Sequence, residues 1–439
     1  AENLTQGSTY VYRVGSAEGG WSTTSRFTVA PKSEEYNFMY FGDIQIGSGR
    51  TERDGEGWRI AAEHSKRHFP DAAYWLTAGD NVNRAGSEAE YEQVFSAPQI
   101  REYPFAPNIG NHDSGSALFQ QHFNIPNMSS ELGVTRAGGN YWFLRDGVLH
   151  INLNSNNRST EEHTKFVRET LDKVGNRAQW KIVTLHHSVF STASHVNDRD
   201  IIQRRGELPP MLSEMGVDLV LMGHDHVYTR TPMMQGSDPA EGAKLKGEIG
   251  DEFRAKPGEV LYVTANSTSG SKFYRVKEGP WAWDAVTNQE NTPNVTNIQV
   301  SPERLTITTY RVPAMAEAPT GQIPESAIVD KVSLVRDRTA PVITGAENVT
   351  IEQGSEFNPL QGVTAKDETD GDLTEKITVE GSVDTAKVGT STLTYTVTDA
   401  AGNTTTVERT VEVALPKPQV PGRIAGANRY DTACLLYTS

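Results

Sequence analysis

Cysteine is nearly absent: Cys434 is the only one in 439 residues. A disulfide framework and a zinc site built on cysteines are therefore both excluded, while the compartment stays open. Long apolar runs are missing as well, since no stretch approaches the roughly 20 residues needed to span a bilayer. Positive charge is in deficit, with 41 Lys and Arg against 56 Asp and Glu and a net charge of -15. That balance opposes general binding to nucleic acid or to an anionic membrane, and no nucleic-acid-binding module is expected. The chain opens on Ala1 with neither Met nor a leader, and both ends read as cut. The missing signal peptide thus says nothing about secretion.

What is present is a globular composition, 36% hydrophobic and 22% charged, long enough for two or three domains. One pattern recurs from Glu35 onward: an apolar strand runs into Gly, Asp, Asn or His and then into a polar loop or helix. Phe38 to Phe41 leads to Gly42-Asp43-Ile44-Gln45, and Ala72 to Ala78 leads to Gly79-Asp80-Asn81. Pro107 to Ile109 leads to Gly110-Asn111-His112-Asp113, and Lys181 to Leu185 leads to His186-His187. Leu219 to Met222 stops at Gly223 and delivers His224-Asp225-His226. Residues two apart on an extended backbone point the same way, so His224 and His226 are expected to leave that strand side by side. A pair of imidazoles pointing together is a common way to hold a transition metal.

Strands alternating with the helical stretches Gly57 to His68, Thr160 to Val174 and Asp200 to Met215 predict an α/β sandwich whose ligands gather at strand ends. Ser159 with Glu162 makes a capping box for the second helix, and Asp146-Gly147 reads as a hairpin turn. Strands at Glu259 to Ala265, Ile298 to Val300, Leu305 to Val312 and Ile328 to Arg336 are expected to complete the second sheet. The polar stretches 238–258 and 270–294, the latter carrying Tyr274, Trp281 and Trp283, read as surface excursions whose tryptophans cover core, or as rims of a site.

Taken together and in order, Asp43, Asp80, Asn111-His112, His186 and His224-Asp225-His226 make residues 37–338 resemble calcineurin-like metallophosphoesterases, most closely the purple acid phosphatase branch. The resemblance implies a four-layer α-β-β-α sandwich and a secreted phosphoesterase that takes a small phosphate-ester substrate. It also implies two divalent or trivalent transition-metal ions (Fe, Mn or Zn) and attack by metal-bound hydroxide. Carried over position by position, it assigns Asp43 and His226 to the first metal, Asp80 to a bridge, and Asn111, His186 and His224 to the second. His112 falls where the family contacts the phosphate, and His195 sits near the family's leaving-group acid. The chemistry is coherent without the name, because hydrolysing an anionic ester needs cations to neutralise phosphoryl oxygens and to make a nucleophile at neutral pH.

Two positions depart from the pattern. Asn83 stands where purple acid phosphatases place a tyrosine ligand, so neither their colour nor a tightly held ferric ion is implied. Gln45 stands where the wider superfamily often has a histidine ligand, and either coordinates through oxygen or lines the pocket. Arg84 and Arg158 lie near ligand loops as candidates for binding phosphate, and His187 either supports a ligand or packs. An inactive surface adhesion or scaffold protein that keeps a phosphatase-like domain is the alternative from another function class.

Outside this region, the hairpin in 1–30 resembles the end of the fibronectin-like domain that precedes purple acid phosphatase catalytic domains. The Thr- and Val-rich stretch 339–414 has the short alternating runs of a β-sandwich and resembles bacterial immunoglobulin-like repeats. Its Asp367, Glu368, Asp370 and Asp372 read as an acidic turn in preference to a calcium loop, since no EF-hand pattern is present. Residues 415–421 are a Pro-rich linker. Residues 422–433, Arg423-Ile424-Ala425-Gly426-Ala427-Asn428-Arg429-Tyr430-Asp431-Thr432-Ala433 among them, resemble the start of a cell-wall-binding repeat. A cell-wall polymer is the partner this implies, and an extracellular, bacterial surface location follows.

Overall fold

The computed structural model describes residues 4–417. The expected wall-binding repeat at 422–433, the end of the linker and Cys434 lie outside those residues. The chain divides into two compact units between Asp337 and Arg338. No described helix is long and apolar enough to cross a membrane.

Alternation along the strand Tyr36–Phe41 shows how the first unit is built. Phe38 and Tyr40 enter one apolar layer with Leu76, Ile182, Leu219, Leu221, Leu261 and Val263. Met39 and Phe41 point the other way, onto Trp58, Ala61 and Ala62 of the helix Thr51–His68. A strand buried on both faces has to read as a continuous apolar run, as this one does. On the far side, Ile151, Val183, Leu185 and Val220 pack against Phe166 and Val167 of the helix Thr160–Val174 and Leu208 and Leu212 of the helix Arg199–Glu214. The result is helices, a seven-stranded sheet, a nine-stranded sheet and helices again. Each fully buried large side chain contributes about 1.5–3 kcal/mol to holding the layers together.

In the seven-stranded sheet, Tyr36–Phe41, Trp75–Thr77 and Phe105–Pro107 run parallel. In the other, Val148–Leu153, Trp180–Leu185, Leu219–Met222 and Glu259–Thr264 run parallel. The late strands do not all join the second sheet, as the sequence had led us to expect. Glu259–Thr264 does, but Asn294–Val300, Arg304–Arg311 and Ile328–Val335 extend the first, because Asn294–Val300 pairs antiparallel with Tyr36–Phe41. Asp146 and Gly147, with φ of 40° and 85°, turn the hairpin between Tyr141–Arg145 and Val148–Leu153. Ser159 caps its helix by accepting from Glu162 N–H. The reciprocal half of the capping box is missing, since the Glu162 carboxylate instead accepts from Gly133 N–H and the Asn157 amide.

His150 lies in the layer between the sheets, stacked on Phe143 at 4.5 Å, with Tyr74 Oη 2.6 Å from Nε2. Burial pushes its pKa from 6.5 down to about 3. The unfolded chain binds a proton there below pH 6.5 and the folded chain does not, so stability is lost as pH falls from 6.5 towards 3. With a slope that approaches about 1.4 kcal/mol per pH unit below 6.5, His150 alone costs on the order of 2 kcal/mol between pH 6.5 and 4.5. A His150→Gln protein, which keeps an acceptor for Tyr74, is expected to show a urea midpoint less sensitive to acid by that slope. Equal slopes in the two proteins would mean that His150 does not take up a proton on unfolding.

The second unit is a sandwich of a three-stranded and a four-stranded sheet around Val363, Ala365, Leu393, Tyr395, Val397 and Val411. Its long hairpin, Gly389–Thr398 with Thr404–Ala414, turns through Asp399, whose carboxylate accepts from Asn403 N–H at 2.7 Å. The acidic stretch closes as a turn, with Asp367 Oδ1 accepting from the N–H groups of Thr369 and Asp370.

Candidate metal centre

Each candidate ligand leaves the chain just past the carboxyl end of a parallel strand, where open α/β sheets bind ligands. Asp43, Asp80 and Asn111 follow Phe41, Thr77 and Pro107 of the seven-stranded sheet, whereas His186, His224 and His226 follow Leu185 and Met222 of the other. Glycine permits the close approach. A Cβ on Gly110 would lie 2.0 Å from Asp80 Oδ1, and one on Gly223 would lie 2.2 Å from Asp43 Oδ1. Among the described residues, seven non-glycine residues have positive φ, and four of them, Gln45, Asp80, His224 and His226, are in these loops. Such backbone costs about 1–3 kcal/mol per residue and persists where the surroundings enforce it.

That backbone overturns the alternation argument for the histidine pair. The strand ends at Met222, and His224 and His226 are both left-handed, with φ of 71° and 37°. Their rings therefore serve different neighbours: His224 Nδ1 lies 3.2 Å from His186 Nε2, and His226 Nε2 lies 3.1 Å from Asp43 Oδ2.

Proton placement shows what the cluster can hold. His186 Nδ1 donates to the Ala78 carbonyl at 3.1 Å, which leaves Nε2 with a lone pair. That lone pair meets Asp80 Oδ2 at 3.3 Å, Asn111 Oδ1 at 2.9 Å and His224 Nδ1 at 3.2 Å. His226 Nδ1 likewise donates to the Lys272 carbonyl at 2.7 Å and turns a bare Nε2 toward Asp43. A carboxylate and an amide oxygen converging on an imidazole lone pair need a proton or a cation between them. One ligand atom each from Asp80, His186 and His224 lies within 4.8 Å of the others. The mixture of carboxylate, amide oxygen and imidazole suits first-row transition metals. Gln45 adds an orphan: the residue is 1% exposed and its Oε1 has no partner, while its Nε2 donates to Asn83 Oδ1.

Without a metal, protons take the cation's place. Burial works to lower the His186 pKa, but the Asp80 and Asp43 carboxylates outweigh it and raise it to about 9. Burial likewise opposes a charge on His226, and Asp43 reverses the balance upward. His224 goes the other way, driven well down by burial and by the neighbouring imidazoles. Asp113 ties the two aspartate and asparagine loops together by accepting from the N–H groups of Gly110, Asn81 and Val82. Burial first and then Asp80 push it up to about 7.

The remaining candidates fall at different distances from this cluster. His112 donates its backbone N–H to Asp80 Oδ1 at 2.8 Å and sets Nδ1 2.8 Å from the Asn83 carbonyl. His195 packs its ring 4.2 Å from that of His224. His187 is buried with Nδ1 on Ser155 Oγ at 2.8 Å, and its ring leans on His186 and His224. Arg84 is mostly exposed and pairs with the fully buried Glu90 at 2.6 Å, while Arg158 lies 3.9 Å from Asp200. Lys272 had no signal in the sequence, and Tyr274 was marked only by lying in the aperiodic stretch 270–294, read as core cover or as a site rim. Yet the Lys272 carbonyl fixes His226, and the Tyr274 ring touches those of His195 and His226. Trp283 of the same loop covers core, bonding the Ser191 carbonyl.

Residues 36–228 match the calcineurin-like phosphoesterase family, and 341–413 match the bacterial surface protein Ig-like domain. A protein of Mycobacterium tuberculosis is 26% identical over 274 residues, 54% of this chain and 50% of that one. Purple acid phosphatase 17 of Arabidopsis thaliana is 43% identical over 188 residues, 36% of this chain and 53% of the plant protein. The chain thus spans about half the length of these relatives. In fold, it is similar to the purple acid phosphatase PPD1 from yellow lupin seeds, with a TM-score of 0.60 and 16% identity over 76% of this chain and 61% of that one.

Proposed function

We propose, for a chain that carries a calcineurin-like phosphoesterase domain of the purple acid phosphatase kind, that it hydrolyses phosphate esters at a pair of transition-metal ions on the outside of a bacterial cell. The observation that carries this reading is the convergence of Asp80 Oδ2, Asn111 Oδ1 and His224 Nδ1 on Nε2 of His186, whose Nδ1 is committed to the Ala78 carbonyl. In it, Asn111, His186 and His224 hold one ion, Asp43 and His226 hold the other, and Asp80 is shared. Gln45 Oε1, buried without a partner two residues from Asp43, offers the ion held by Asp43 and His226 a further oxygen. When bound, the metal pair neutralises phosphoryl charge and makes a nucleophile from water at neutral pH. The Ala78 and Lys272 carbonyls lock the ligand tautomers of His186 and His226, which aims a lone pair at each site. His112, its Nδ1 held by Asn83, turns its other nitrogen to a phosphoryl oxygen, and His195 protonates the departing alcohol. The surface location rests on the Ig-like domain and on the wall-repeat pattern after Pro421.

Metal-stripped protein is expected to regain cleavage of p-nitrophenyl phosphate or bis-p-nitrophenyl phosphate on adding Mn, Zn or Fe, with two ions bound per chain. Iron-loaded protein should lack a phenolate absorption band because Asn83 replaces the tyrosine. With His186 raised to about 9, binding at pH 7.5 must also expel a proton, which calorimetry in buffers of different ionisation enthalpy reads directly. Two bound ions with no turnover of either ester would leave a surface scaffold with a phosphatase-like domain.

A further inference from the structure

We infer that Asp198 is a positioning residue that sets the orientation of the His195 ring toward the alcohol of the ester. The inference rests on the phosphoesterase reading above and specifies how one of its groups is held.

Asp198 is the N-cap of the helix Arg199–Glu214, with the extended backbone (φ -67°, ψ 135°) that this position requires. An aspartate there ordinarily turns its carboxylate back onto the free N–H groups of the first turn. Asp198 makes no such bond. Its Oδ2 lies instead 2.6 Å from His195 Nδ1. A good capping residue has thus given its side chain to an imidazole three positions earlier.

The backbone of His195 is held independently. Its N–H donates to Asp225 Oδ1 at 3.2 Å, and the neighbouring Ala193 N–H donates to Asp225 Oδ2 at the same distance. Asp225 is buried and sits between the two ligand histidines, so it ties the 193–195 loop to the ligand loop. The Asp198 N–H donates to the His195 carbonyl at 2.9 Å and closes the turn. The ring itself lies between His224, centroid to centroid 4.2 Å, and Tyr274 at 5.3 Å. Backbone clamps fix where the ring hangs but not how it is rotated. The bond from Nδ1 to Asp198 fixes the rotation, assigns the tautomer and sends Nε2 to the opposite side, toward substrate.

In the step this serves, the bond from phosphorus to the ester oxygen breaks with both electrons going to that oxygen. The oxygen takes the Nε2 proton of the His195 imidazolium, leaving a neutral ring whose remaining proton stays on Nδ1 facing Asp198; water supplies the new oxygen on phosphorus, and the proton water gives up is returned to Nε2 through solvent. A leaving group such as p-nitrophenolate needs that proton little, whereas a simple alkoxide needs it greatly.

The test compares kcat on p-nitrophenyl phosphate and on an alkyl phosphate for three variants of the full chain loaded with metal. Asp198→Ser keeps a residue that caps helices but cannot reach His195, and Asp198→Asn keeps an acceptor for Nδ1–H. We expect Asp198→Ser to lose about tenfold or more on the alkyl ester and less than about threefold on the aryl ester, with two ions still bound. Asp198→Asn should recover most of the alkyl activity. Equal losses on both esters, or no loss on either while His195→Gln selectively loses the alkyl ester, would overturn the role of Asp198. If His195→Gln itself shows no selectivity, the acid assignment fails and takes the inference with it, while metal-dependent cleavage of the aryl ester stands apart.

Discussion

An Asp80→Asn protein is expected to fold normally and to lose about a thousandfold or more in kcat. Asparagine suits the site sterically, because it tolerates the left-handed backbone found there, φ 47°, and keeps an oxygen to accept the His112 N–H. What disappears is the charge. Burial alone would push the Asp80 carboxyl up, yet His186 and His112 hold it below its usual value, so the native group is an anion. In the proposed site that anion is the one shared by both ions, and with Asp43 it offsets their repulsion. Removing it should lower the bound metal below two per chain and forfeit the charge neutralisation that metals supply in phosphoryl transfer. That contribution is about 4 kcal/mol, and 1.36 kcal/mol corresponds to a factor of ten. Metal analysis beside kcat is the check. Full activity in this variant would remove Asp80 from the shared position.

Gly223→Ala should disable the site without touching a ligand. The added Cβ would stand 2.2 Å from Asp43 Oδ1 and 2.7 Å from the Ala78 Cβ, distances that unbonded atoms do not adopt. Asp43 is short and its carboxylate is pinned by the His224 N–H at 2.9 Å, so relieving the clash moves either the carboxylate or the histidine loop. Both routes separate Asp43 from His226. A displacement of about 1 Å at a reacting centre costs on the order of a hundredfold. We expect one ion per chain in place of two, kcat lower by about that factor or more, and little change in melting temperature. Gly206→Ala is the control, since its Cβ would meet nothing within 4 Å on the exposed side of the helix Arg199–Glu214. It should add about 0.5–1 kcal/mol of stability and leave turnover alone. Two ions and wild-type kcat in the Gly223 variant would place Asp43 outside the metal site.

Much of the fold was legible because its signals are local. The helix Thr160–Val174 is announced by Ser159, and the hairpin at Asp146-Gly147 needs positive φ at both positions, which that pair tolerates. Sheet membership was not legible: a strand such as Asn294–Val300 carries no mark of which neighbour it will pair with, and it joined Tyr36–Phe41 across more than 250 residues of chain. The candidate ligands could be read from the repeated motif of strand, glycine and ligand. How His224 and His226 point could not, since alternation ends with the strand at Met222 and the left-handed backbone beyond it follows other rules. Asp198 lies just before the helix expected from Asp200 and carried no mark of its own, and the contribution of Lys272 is a carbonyl, which no side-chain pattern encodes.

The six ligands proposed from Asp43 to His226 come three from the loops of each sheet, and every proposed ion takes ligands from both. Bound ions would therefore act as rivets across the seam between the sheets. A substitution deep in that seam, remote from any ligand, would slide one half of the sandwich against the other. It should first be felt as weakened metal retention, at a stage when spectroscopy of the backbone still reports an intact protein.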